Sequence, residues 1–288
     1  MAVDNFIPEI WHAQLLDNLK NALVFGNPNF FNRNYTGDIS SFGDTVHINS
    51  IGAVTVTDYV KNIDHAAPEQ LSDSQMTLVV DQAKMFNFQI DDVDAAQTRP
   101  NLQSAAMFEA GFALANVADQ FLSNLLNIGV PTANTLPTSA FILATNPGAL
   151  YNSLVDAGVV LDANNAPAEG RWAVASPKVY GALLKDPRFV SFGTDQNRAV
   201  ISSRNVGTIA GFTVMQSNTV PASGASNPQV LIGHNIAATY AEQISELRAY
   251  RPEKRFADAV KGLHVYGGKI IREALPFHDT GNTGSASG

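Results

Sequence analysis

Between Asp44 and Asp91 the chain carries two long strand-forming runs separated by a polar stretch. The first, Thr45-Val46-His47-Ile48-Asn49-Ser50-Ile51 continuing through Val54, Val56 and Tyr59, is rich in β-branched residues. The second, Met76-Thr77-Leu78-Val79-Val80 and then Phe86-Asn87-Phe88-Gln89-Ile90, alternates so that Phe86, Phe88 and Ile90 share a face. Together they predict an antiparallel hairpin. A strand of about fifteen residues reaches roughly 50 Å, whereas ordinary strands have about five or six residues. A two-stranded ribbon that long is marginal alone in water, so its apolar face needs a support. The most economical support is a second copy of the same chain.

The 288 residues, 45% hydrophobic and 15% charged, are enough for one large or two modest cores and exclude a wholly disordered chain. With no cysteine there is no disulfide, no thiol nucleophile and no cysteine-ligated zinc, which suits a reducing compartment. The start, Met1-Ala2-Val3-Asp4-Asn5, lacks the basic region and apolar core of a signal peptide. No apolar run approaches the roughly 20 residues that span a bilayer. The expectation is a soluble protein made in the cytoplasm, without a membrane partner.

The net charge of -8 is unevenly placed: residues 1 to 98 hold 13 acidic and 4 basic side chains, and the remainder is slightly positive. Within that remainder Arg248, Arg251, Lys254 and Arg255 gather in eight residues. An acidic arm and a basic segment can attract each other across a subunit boundary, and both can equally be solvated surfaces. No basic tail or aromatic-interleaved basic stripe marks a nucleic-acid footprint.

Pro8 to Val24 places Ile10, Trp11, Leu15, Leu16, Leu19 and Leu23 at helical spacing. Gly26-Asn27-Pro28-Asn29 ends that helix, and Phe30-Phe31-Asn32-Arg33-Asn34-Tyr35 follows as an aromatic connector. Asn101 to Asn127 reads as the longest helix, apolar around most of its circumference and therefore expected to be covered on several sides. From Pro131 to Thr239 short elements alternate as in a compact α+β unit. Thr145-Asn146-Pro147 and Ala175-Ser176-Pro177 each set a capping side chain before a proline suited to the first helical turn. Arg171 to Ala175, Val214 to Gln216 and Val230 to Gly233 read as buried strands. After Thr239, Tyr240 to Tyr250 and Leu263 to Tyr266 read as extended chain returning to the long helix, and residues 279–288 as a flexible tail.

Sites for chemistry are sparse. The six histidines form no pair with metal-ligand spacing. Gly267-Gly268-Lys269 lacks the remainder of a phosphate loop and reads as a turn. Asp91, Asp92 and Asp94 could hold a divalent cation, but suit a strand-to-helix junction better. Arg188 and Arg198 fit an anion pocket or a loop at a subunit contact. No nucleophile elbow or dinucleotide fingerprint occurs. The expectation is no catalytic residue, no metal and no cofactor.

Phe6-Ile7-Pro8-Glu9-Ile10-Trp11, Gly43-Asp44-Thr45-Val46-His47-Ile48, Asp81-Gln82-Ala83-Lys84-Met85-Phe86-Asn87-Phe88, and Gly207-Thr208-Ile209-Ala210-Gly211-Phe212-Thr213-Val214 followed by Ser217-Asn218 occur in this order. With the sequence of arm, hairpin, long helix, α+β unit and returning strands, the chain resembles the tailed-bacteriophage major capsid proteins with the Hong Kong 97-type fold. The resemblance spans nearly the whole chain. It implies an α+β fold with an N-terminal arm (1–37), an extended loop (38–90), a peripheral domain with a spine helix (91–135 and 240–278) and an axial domain (136–239). It further implies self-assembly into pentamers and hexamers of an icosahedral virion shell around double-stranded DNA, without sequence-specific binding, in the bacterial host cytoplasm. With only some 37 residues before the hairpin, a separate scaffolding protein is expected, together with a portal. Candidate intersubunit contacts are Trp11, Phe30, Phe31 and Tyr35 as arm anchors, Tyr59 and Lys61 near the hairpin tip, and Arg248, Arg251, Lys254 and Arg255. Lysine–asparagine crosslinking, found in some members, maps onto no motif here. Two rivals are an encapsulin-like bacterial compartment shell and a hydrolase or binding enzyme with a convergent polar pocket.

Overall fold

The structure, a computed structural model, describes residues 23–38, 42–51, 73–91, 102–131, 149–186, 207–221, 229–254, 256–272 and 277–280, with Val56, Asp58 and Lys61 as isolated positions. The expected helix at 8–24, apart from its last residues, lies outside them, as do the Thr145 cap, Arg188 and Arg198.

Strands β1 (Thr45–Ile51) and β2 (Asp73–Val79) pair antiparallel, Thr45 opposite Val79 and Ile51 opposite Asp73. The hairpin is therefore present, but the second run divides at Val80 and Asp81. Its later half is β3 (Gln82–Asp91), which pairs with β9 (Ala257–Ile270) rather than with the first run. The alternation of Phe86, Phe88 and Ile90 holds, with all three half-buried between exposed neighbours. The face they form belongs to a three-stranded sheet ordered β3-β9-β8, where β8 is Ala238–Tyr250. Among the described residues the two longest strands are thus β8 and β9, of 13 and 14 residues.

Helix α1 (Leu102–Gly129) crosses this sheet and shares a core with it that includes Met107, Leu114, Ala118, Leu122, Tyr240, Val260 and Tyr266. Cover on several sides is not seen among the described residues. Phe108, Phe112 and Ile128 remain more than half exposed.

The second unit is a five-stranded sheet ordered β10-β7-β4-β6-β5. It comprises β4 (Arg171–Ala175), β5 (Thr208–Ile209), β6 (Phe212–Gln216), β7 (Gln229–His234) and β10 (Phe277–Thr280). Only β4 and β6 run parallel. Strand β4 is buried throughout as expected, whereas β6 alternates, with Val214 buried and Met215 exposed. Because Asp279 and Thr280 pair with Val230 and Gln229, the expected tail contributes its first residues to this sheet. Helices α2 (Ala149–Ala163) and α3 (Pro177–Leu183) cover one face through Leu154, Ala157, Leu161, Val179 and Leu183. Pro177 takes the first helical turn, but Ser176 makes no side-chain cap bond, and its buried hydroxyl has no partner. The opposite face presents Trp172, onto which Phe25 and Phe30 stack edge-on at centroid distances of 6.5 and 5.4 Å. The aromatic connector therefore fills the seam between the two units.

Candidate assembly surface

Three features are candidates for an assembly surface or its support: the seat of the hairpin, the anchorage of the arm and the β8–β9 turn. The seat is apolar. Val46 and Ile48 of β1 and Leu78 and Val80 at β2 are buried against Ala241 of β8 and Val265 of β9, with Tyr35 packed alongside. At roughly 1.5–3 kcal/mol per buried aliphatic side chain, this holds the ribbon without a second molecule. The expectation that another copy supports it is therefore corrected for the described ladder. Gly43 N–H donates to Val80 C=O and Val80 N–H to Asp44 C=O, both at 3.0 Å, extending the pairing to the sheet. Close approach is possible because β9 carries glycine: a Cβ at Gly267 would lie 2.3 Å from the Val79 carbonyl oxygen. Gly267-Gly268-Lys269 is strand, not the expected turn.

Two buried carboxylates anchor the arm. Asp119 on α1 is 3% exposed and accepts hydrogen bonds from the N–H groups of Val24 (2.8 Å), Phe25 (3.1 Å) and Gly26 (3.3 Å). Burial raises its pKa from 3.8 to about 6, against the downward pull of those three bonds. Further along, Arg33 forms an ion pair with Glu242 and lies 5.4 Å above the Tyr240 ring. The Tyr240 hydroxyl donates to Glu242 Oε2 at 2.6 Å, and His264 Nε2 lies 3.3 Å from the same oxygen. Burial, with the Arg33 cation second, lowers the pKa of His264 from 6.5 to about 4. The imidazole is thus neutral and its Nε2–H donates to Glu242, a hydrogen bond and not a second ion pair. The Asn32 carbonyl accepts from Thr239 Oγ1 (2.9 Å) and Tyr240 N–H (3.0 Å), closing the clamp.

Phe30 and Phe31, expected at a subunit boundary, are buried within this chain. A ring without exposed surface offers none to a neighbour, so that expectation is corrected, and Tyr35 lies half-buried at the hairpin seat. Arg248, Arg251 and Lys254 are brought together, all exposed, around the β8–β9 turn beside Phe256, which is 83% exposed. Across the ladder Lys261 lies 5.2 Å over the Tyr250 ring. Lys61 is exposed. Trp11, Tyr59 and Arg255 lie outside the described residues. Of the charged anchors only Asp119 carries a signal in the sequence: it interrupts an apolar helix in which Glu109 is the only other acidic residue between 101 and 127.

Among the described residues no cluster of His, Asp or Glu is arranged to hold a metal ion. No described helix is long and apolar enough to cross a membrane. Residues 74–275 match the model of the family described as phage capsid protein. The chain belongs to that family.

The capsid protein is 27% identical to a solved chain of Mycobacterium phage Che8, with a TM-score of 0.73 over 89% of this chain and 90% of that one. The capsid structure of cyanophage P-SCSP1u is 19% identical, with a TM-score of 0.66 over 84% of each chain. A virus-like particle from Pyrococcus furiosus shares the fold at 15% identity and a TM-score of 0.54, over 96% of this chain and 99% of that one. None of the curated proteins matches the sequence. The resemblance read from the sequence is borne out: this is a structural major capsid protein of a phage virion, with the Hong Kong 97-like mixture of helix and sheet.

Proposed function

We propose that copies of this chain form rings of five and six that close an icosahedral shell around double-stranded DNA in the host cytoplasm, with a separate scaffolding protein and a portal, and that it catalyses no reaction. The observation that carries this reading is a rooted hairpin with an apolar continuation. The base is locked onto the subunit's own sheet, while Val56 beyond it is 92% exposed. Apolar surface of that kind on a fixed support suits contact with a neighbour. In this reading residues 1–37 are the arm and the hairpin is the extended loop. Strand β3, inside a sheet with β8 and β9, goes with the peripheral domain and spine helix α1, and β10 with the axial unit. An encapsulin-like compartment shell is the alternative, favoured by the fold shared with the Pyrococcus furiosus particle.

Electron microscopy of the chain expressed with and without its neighbouring genes tests the proposal. Closed shells or capsomer rings are expected. A protein that stays monomeric at high concentration and shows catalytic turnover overturns it, and cargo-enzyme genes in place of portal and terminase genes select the compartment reading.

The exposed Arg248, Arg251 and Lys254 are proposed to meet the acidic arm and hairpin of an adjacent subunit. Charge reversal in the double variant R251E/K254E is expected to reduce particle yield at least about tenfold at low salt while leaving the thermal midpoint within a few degrees, since exposed charges contribute little to folding. Normal particles from that variant at low and high salt alike would sink the assignment.

A further inference from the structure

Strand β3 forms one edge of the three-stranded sheet, and among the described residues no strand pairs with its outer side. The opposite edge is guarded. On β8 the connector occupies Thr239 through a bridge from Asn32, and the ladder is interrupted by a bulge between Ile244 and Glu246. Strand β3 has no such device: its ten-residue register against β9 is unbroken, it contains no proline, and Lys84 is the only charge before its last residue. Met85 is 78% exposed, and Phe86 and Phe88, stacked at 6.0 Å, are only half-buried. An edge of this kind is a template for another strand.

The strand that fits it is its own copy. Along the α1 side of β3 runs a cleft of about 500 Å³, lined by Phe86, Phe88 and Ile90 and by Ala106, Glu109 and Ala110 of α1. Its one charged side chain is the exposed Glu109, and the one basic residue of β3 is the exposed Lys84, which alternation places on the same face. In-register parallel pairing of two copies would stack Lys84 on Lys84. A two-fold axis makes the strands antiparallel, and directly opposite residues then share a face. Centring the axis on Asn87 sets Phe86 opposite Phe88 in both halves and Lys84 opposite Ile90, at the partner cleft that Glu109 flanks. Of the neighbouring registers only this one pairs each phenylalanine with a phenylalanine. We infer that β3 joins β3 of a second copy across a two-fold axis at Asn87, making one six-stranded sheet with Lys84 of each subunit against Glu109 of the other. In a shell of the kind proposed above such a contact joins neighbouring rings, and that role rests on the shell reading.

The chain contains no cysteine, so one introduced thiol reads the contact. Cβ atoms directly opposite on antiparallel strands lie about 4.5–5.5 Å apart, close to disulfide reach, so full-length N87C should link 87 to 87 on mild oxidation. Met85 and Gln89, exposed on the same side of β3, would each lie about 13 Å from the same residue of the second copy. The 87–87 dimer, located by peptide mass spectrometry, should therefore form severalfold faster than the dimers of M85C and Q89C. N87C that stays monomeric, or links no faster than the other two, overturns the inference. In the N87C background, K84E alone and E109K alone should each lower the yield of linked dimer severalfold. Co-expression of the two should restore it, because each subunit then meets the opposite charge on its partner. An attraction within one chain would not be rescued by mixing, so absence of rescue also overturns the two-fold contact. Electron microscopy of the same samples separates this from the shell reading: shells without the 87–87 link sink the contact alone, whereas linked dimers that form neither rings nor shells sink the shell reading alone.

Discussion

Gly267→Ala should lose about 2–4 kcal/mol of stability and lift the hairpin from its sheet. In a strand interior, alanine ordinarily gains roughly 0.5–1 kcal/mol over glycine through the entropy of the unfolded chain. At Gly267 the sign reverses, because the added Cβ meets backbone: the Val79 carbonyl oxygen at 2.3 Å and Val80 Cα at 3.0 Å. Neither can rotate away. Accommodating the methyl group means moving β2 off β9, which disrupts the packing of Leu78 and Val80 against Ala241 and Val265. Gly268→Ala meets the movable Leu125 Cδ2 at 2.9 Å and should cost less. Gly37→Ala, with nothing within 4 Å, serves as the control. Denaturant unfolding ranks the three, and amide exchange over 45–51 and 73–79 reports the seat. If Gly267→Ala matched Gly37→Ala in both measurements, close approach would not be what seats the hairpin. Particle yield should fall with the exchange protection, since a hairpin without a fixed base cannot present its distal half in one direction.

The legible parts of this fold were those set by local pattern. The period-2 run of Phe86, Phe88 and Ile90, the helical stretch after Asn101 and the proline at position 177 each produced the element expected of it. Pairing partners were a different matter. Both the 45–51 run and β9 offer a partner to β3, and only the tertiary arrangement selects β9, since sequence periodicity fixes a face but not a neighbour. The same limit explains Phe30 and Phe31, whose aromatic character marks a docking segment but does not say whether the dock is another molecule or Trp172 of the same chain. Glycine at 267 suits a turn and a close approach alike, and only the position of Val79 decides between them. The proposed assembly surface is legible only as charge, in Arg248, Arg251 and Lys254, which the structure leaves exposed. The Asp119 and Glu242 anchors leave no pairing signal in the sequence, because their partners are backbone N–H groups 93 to 95 residues away and an arginine in a loop.

Asp119→Ala should cost about 3–5 kcal/mol, because three N–H groups, two buried and that of Val24 part-buried, lose their acceptor together. The loss must also depend on pH. Burial, the leading cause, raises the carboxyl to about 6 from an unfolded value near 3.8. Between those values the folded state binds a proton that the unfolded state releases, so this group's contribution to stability falls as pH rises from about 4 to 6 and is flat above. His264 acts in the opposite sense: lowered to about 4 from 6.5, it costs stability as pH falls through that window. The wild-type profile mixes the two, but the difference between wild type and Asp119→Ala isolates the first. That difference should be about 1 kcal/mol larger at pH 5 than at pH 8. Asp119→Asn keeps one acceptor oxygen but turns an amide N–H₂ toward one of the three donors, so its deficit should be smaller than alanine's and free of this pH dependence. Urea unfolding at the two pH values decides. Equal deficits at both, or an alanine variant within about 1 kcal/mol of wild type, would mean that Asp119 does not hold the arm. If the deficits appear as expected, exchange protection at Val24 to Gly26 should vanish in the alanine variant while β8 and β9 keep theirs. Of the two carboxylates, Glu242 fastens Arg33 to the sheet, whereas Asp119 ties Val24 to Gly26 to α1.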